Sequence, residues 1–111
     1  MNWYVAKVIF RIISNEGNNQ AQFDEQLRLI SAETRFEAFE KATQLGKDNE
    51  DRFLKDSKQT VKWQFVNVAE VNQLTELADG TELYCNIHEA ENADLYIGWA
   101  NHRASLIELD N

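Results

Sequence analysis

WYVAKVIFRII, residues 3–13, alternates for long enough to fix both a sheet and its orientation. In an extended strand Tyr4, Ala6, Val8, Phe10 and Ile12 share one face, while Lys7 and Arg11 interrupt the other. Its β-branched and aromatic content suits a pleated, half-buried or central strand. A slip of one residue would carry both cations into the core, so the register is well specified. The odd-numbered side is left with Trp3, Val5, Ile9 and Ile13, for which the sequence assigns no cover.

The flanking segments supply the rest of a small sheet. Ser14–Gln20 (SNEGNNQ) concentrates turn formers, and Phe23–Ile30 alternates again, with Phe23, Leu27 and Leu29 opposite Asp24, Gln26 and Arg28. An antiparallel hairpin is expected. The period then changes: Thr34 with Glu37 forms a candidate capping box, and Ala38, Ala42, Leu45 and Phe53 follow at helical spacing, with Phe39 widening the stripe. The helix starts near Arg35. Gly46 either ends it as a left-handed cap or sits inside a helix running towards Leu54, and the glycine- and proline-free KDNEDRFLKD favours one long helix.

After the polar connection Asp56–Thr60, VKWQFVNVAEV puts Val61, Trp63 and Phe65 on one side and Val66 and Val68 on the other. Either both faces are covered or a β-bulge near Phe65 and Val66 shifts the parity. Asp79-Gly80 reads as a tight hairpin turn leading into a strand at Glu82–His88, where Leu83, Cys85 and Ile87 alternate with Tyr84, Asn86 and His88. Beyond a polar loop at 88–94, Leu95–Trp99 and Ala104–Leu109 are short strand candidates for a C-terminal hairpin.

A chain of 111 residues, 43% of them hydrophobic, suffices for one ordinary core, so residues 1–111 form a single expected domain, with 88–111 as an extension of a 3–87 core. The formal charge of −8 disfavours phosphate backbones and anionic membranes. MNWYVAKVIF lacks the basic and continuous apolar parts of a leader, and no run approaches bilayer length, which points to the cytoplasm. The acids Glu76, Asp79, Glu82, Glu89, Glu91, Asp94, Glu108 and Asp110 face one base, Arg103, in the C-terminal third. A solvated face explains them, and a basic partner is the functional alternative.

Catalytic chemistry finds little support. His88 and His102 occupy different elements and no ligand spacing joins them. Cys85, the only cysteine, reads as a small buried hydrophobe in an acidic neighbourhood rather than an activated thiol. Neither Asp48, Glu50 and Asp51 nor Glu89, Glu91 and Asp94 follows the calcium-loop order, and no phosphate loop or nucleophile elbow is present. No catalytic residue, metal site or cofactor is assigned. The aromatic residues are more suggestive: Trp63, Tyr84 and His88 are candidates to line a cleft beside the sheet. Trp3, Val5, Ile9 and Ile13 are candidates for an interaction face.

The opening WYVAKVIFRI, the junction SAETRFEAFEKATQLGK, the strand WQFVNVAEV and the hairpin LADGTELYCNI resemble a small bacterial family, domain of unknown function number 4288. The resemblance covers about Trp3 to Ile87. It implies a bacterial intracellular setting and a shared fold, and no activity or catalytic residue. The expected fold is α+β: an antiparallel sheet of ββαββ order with one long helix on one face and a candidate C-terminal hairpin. The expected function is a non-enzymatic protein-interaction module whose partner is a second copy or another, basic protein; an acidic immunity- or antitoxin-like protein is one form. The alternative is a small-ligand-binding protein or enzyme with an aromatic-lined cleft beside the sheet.

Overall fold

The computed structural model describes residues 1–14, 20–50, 53–56 and 59–109. Its elements are β1 (Asn2–Ser14), β2 (Gln22–Ala32), α1 (Arg35–Asp48), β3 (Phe53–Asp56), β4 (Gln59–Gln73) and α2 (Ala93–Leu109). One antiparallel sheet has the order β2-β1-β4-β3. The strand read first is therefore central. Both its neighbours are long, whereas β3 is a four-residue edge.

Alternation in β1 sets the faces as expected. Tyr4, Ala6, Val8 and Phe10 are buried beneath α1, where they meet Ile30 and Ala32 of β2, Val68 and Val71 of β4, and Ala38 and Ala42 of α1. The β4 strand keeps its apolar residues on that side by two irregularities. Phe10 pairs with Phe65, Val8 with Val68 and Ala6 with Val71, so Val66 and Ala69 are the extra residues of two bulges. Of the two explanations for VKWQFVNVAEV, the parity shift holds. Backbone donors beside the bulges find side-chain acceptors: Phe65 N–H donates to a Glu50 carboxylate oxygen at 3.2 Å and Val68 N–H to Asn67 Oδ1 at 2.8 Å.

Thr34 caps α1 by accepting from Glu37 N–H at 3.1 Å. The reciprocal half of the capping box is displaced by one residue, because the Glu37 carboxylate accepts from Glu33 N–H at 3.3 Å. Arg35 Nε donates to Val71 O at 2.9 Å and ties the helix start to β4. Ala38, Ala42 and Gly46 form the buried stripe, four residues apart. Gly46 lies in the last turn without positive φ, and a Cβ built there would overlap the Phe65 ring. The helix ends two residues later with Asn49 as its C-cap.

Several expectations are overturned. The expected ββαββ sheet with one long helix does not hold as drawn, although the α+β class and the antiparallel sheet do: the strands after α1 are Phe53–Asp56 and Gln59–Gln73, not the two expected at 61–71 and 82–88, and a second helix follows them. The helix stops at Asp48, and Phe53–Asp56, expected as its continuation, pairs with β4 instead. Glu82–His88 forms no ladder. The Asp79-Gly80 turn is made, with Thr81 N–H donating to Ala78 O, but only Gly80 has positive φ, at 87°. Both primed hairpin turns need positive φ at the first central residue, here Asp79, so this turn does not match the twist of paired strands. The C-terminal hairpin is absent, because residues 93–109 are one helix, capped where Asn92 Oδ1 accepts from Leu95 N–H at 3.1 Å. Cys85 is exposed rather than buried. Residues 15–19 of the first turn, 57–58 of the polar connection, and Asp51 lie outside the described residues.

Gly46→Ala would gain about 1 kcal/mol of helix propensity and lose more to overlap with Phe65, since overpacking a core costs about 1–3 kcal/mol. Urea denaturation is expected to show a net destabilisation of roughly 1–2 kcal/mol. Adding Phe65→Leu to that variant recovers part of the loss.

Candidate interaction face

The side of the sheet opposite α1 is built by the odd-numbered residues of β1 and β2. Val5 pairs with Leu29, Lys7 with Leu27, Ile9 with Glu25 and Arg11 with Phe23. Directly paired residues project to the same face. This register joins the apolar side of β2 to Trp3, Val5, Ile9 and Ile13, and turns Asp24, Gln26 and Arg28 towards the α1 side. Val5 is buried, Trp3 and Ile9 are half-buried and Ile13 is exposed. Phe23, Leu27 and Leu29 remain 54%, 46% and 50% exposed. Sequence reasoning had those three on one side of a strand but could not tell which face of the sheet they joined.

Lys7 stands in the middle of this face. Its ammonium donates to Tyr84 Oη at 2.6 Å and pairs with Glu70 at 2.9 Å and Glu25 at 3.4 Å. Tyr84 Oη also lies 3.5 Å from the Glu70 carboxylate. The Tyr84 hydrogen bond, then that of Glu70, hold the lysine pKa above its ordinary value against the opposing effect of desolvation. These bonds pin the 74–92 segment against the sheet at one point. A second anchor is Leu74, buried, whose N–H donates to Trp3 O at 2.8 Å.

Trp63, Tyr84 and His88 do not line one cleft. Trp63 is on the α1 side, where its Nε1 donates to Asp24 Oδ2 at 3.0 Å. There it ends a polar chain in which Arg28 donates to Gln26 Oε1 and Gln26 to Asp24 Oδ2. Tyr84 is on the opposite side with Lys7, and His88 stacks on Tyr96 of α2 with 5.1 Å between ring centroids.

The sequence pattern of one family, described as a domain of unknown function, DUF4288, matches residues 3–85. The chain belongs to this family. The DUF4288 match takes in the whole sheet, α1 and the Tyr84 anchor, and ends before α2. No curated protein and no solved structure matches the chain. Among the described residues no helix is long and apolar enough to cross a membrane.

Lys7→Met is expected to lower stability by about 1 kcal/mol at pH 7, the scale of a few partly exposed charged hydrogen bonds. A raised lysine pKa adds stability that is fully present below the unfolded value of about 10.4 and is lost as pH rises through the folded value. The gap between wild type and variant in urea midpoint should therefore persist to about pH 10 and close only in stronger alkali.

Proposed function

We propose that this chain is a non-enzymatic protein-interaction module of the bacterial cytoplasm, acting through the sheet face opposite α1. The observation that carries the reading is the apolar surface that the β1–β2 register assembles there. Phe23, Leu27, Leu29 and Ile13 are all exposed on this face, beside the point where Tyr84 covers Lys7, and among the described residues no helix or strand packs over them. Contiguous apolar surface of this kind marks contact sites on proteins. Lys7, the cation nearest its centre, is paired with Glu25 and Glu70, and the apolar surface is a strip along β1 and β2 bordered by the polar β4 residues Lys62, Gln64, Asn67 and Asn72. A second copy of the chain is the partner that such a strip suits, because a two-fold contact sets the same exposed Phe23, Leu27 and Leu29 of each copy against apolar surface of the other.

Light scattering at tens of micromolar tests this. Wild type is expected at twice the 12.9 kDa chain mass, and Leu29→Glu at the single mass with an unchanged circular dichroism spectrum. A monomeric wild type, or a dimer indifferent to Leu29→Glu, overturns the reading.

A further inference from the structure

The helix α2 is a second unpartnered surface, and it matches the first. Asp94, Asn101, Ser105 and Glu108 recur at helical spacing on one side, while Leu95, Trp99, Leu106 and Leu109 recur on another. Tyr96, Ala100 and Ile107 extend the apolar side, with Arg103 among them. No residue of α2 is buried: Leu95, Trp99 and Leu106 are 72%, 57% and 42% exposed. No Cα of α2 approaches within 8 Å of one in any other element. Ile97 falls on the polar side and His102 among the leucines, so apolar surface runs most of the way round the helix, and a helix of seventeen residues with this much bare apolar surface gains most of its stability by packing.

We infer that α2 packs against the sheet face opposite α1 in a second copy of the chain, the two copies exchanging helices about a two-fold axis. The inference rests on the reading of that face as an interaction surface, and names its occupant. The helix is about 25 Å long and β2 about 35 Å, so α2 fits along the strands. Its own sheet is not where the chain sends it: Tyr84 ties the tether to Lys7, and the His88–Tyr96 stack joins the last part of the tether to the first turn of α2, which stands clear of the strands.

The surface area is what such a dimer requires. A compact monomer of this mass exposes about 6,300 Å², against 8917 Å² here. The surplus, about 2,600 Å² per chain and so about 5,200 Å² for a pair, lies at the top of the range that permanently associated dimers bury, about 2,000–5,000 Å² or more in total. The radius of gyration agrees, 17.7 Å against about 13 Å for a compact chain of this length. Two-fold exchange covers both apolar surfaces of both chains and closes, leaving no free copy of either surface to extend a polymer.

The test is an isotope-filtered nuclear Overhauser experiment on full-length dimers mixed from 13C-labelled and unlabelled chains. Cross-chain signals are expected between Leu27 or Leu29 of one chain and Leu95, Trp99 or Leu106 of the other. Signals between these groups confined to one chain overturn the exchange while leaving the sheet face as a contact surface; signals only between the two α2 helices, or none, also overturn it. Trp99→Asp, exposed and outside the core, should raise the dimer dissociation constant at least tenfold with the sheet spectrum retained. An unchanged constant overturns the inference. Failure of the underlying reading is seen separately, as a mass indifferent to Leu29→Glu.

Discussion

Everything in this molecule depends on how β4 pairs with β1. A regular ladder would send Val66 and Val68 to the face opposite Trp63 and Phe65 and divide the apolar content of β4 between the two faces. The two bulges absorb Val66 and Ala69, so Phe65, Val68 and Val71 all reach the helix side although they are spaced by three residues rather than two. The Phe65 ring then lies where α1 passes, and a glycine at position 46 lets the backbone come that close. The T-shaped contact of Phe65 with Phe10, 6.1 Å between centroids, ties the same ring to the central strand.

The division of faces follows. With α1 satisfied by small residues and two aromatic rings, the α1 side is closed over the middle of the sheet and polar at its β2 end, through Arg28, Gln26, Asp24 and Trp63. The opposite side is apolar along its β1–β2 strip, around Lys7 and its carboxylate partners, and polar along β4, through Lys62, Gln64, Asn67, Glu70 and Asn72. Placing hydrogen-bonded polar groups beside the helix and bare leucines on the open face reverses the usual economy of a two-layer α+β domain, in which the helix covers the apolar side of each strand.

Much of this was legible in the chain. The faces of β1, the cap at Thr34 and the parity shift in β4 all follow from local physics, and they proved sufficient to place the core. Trp3, Val5, Ile9 and Ile13 were correctly grouped on one face. What pattern alone could not supply was the partner of each face: β2 alternates except at Glu25, yet only pairing with β1 decides that Leu27 and Leu29 join Val5. The end of α1 was hidden for a similar reason. KDNED is compatible with a helix, and the ladder between β3 and β4 competes for the residues beyond it. The C-terminal misreading had a signal that was passed over. Asn92 with Asp94 is a helix start, and Leu95, Trp99, Leu106 and Leu109 keep helical spacing, but short apolar runs such as LYIGW satisfy either period.

The central position of β1 also shapes how the chain reaches its native state. Of the four strands β1 is made before the others and acquires one neighbour, β2, by local hairpin closure. The other, β4, pairs with it across a sequence separation of some fifty to seventy residues. Until residue 73 has been made, one long edge of β1 carries unsatisfied backbone groups beside Val8 and Phe10, the side chains buried most deeply at the end. Non-local pairing of this kind slows folding and leaves an edge open to other chains. The nascent protein is thus most vulnerable to aggregation between completion of the hairpin and arrival of its bulged partner strand.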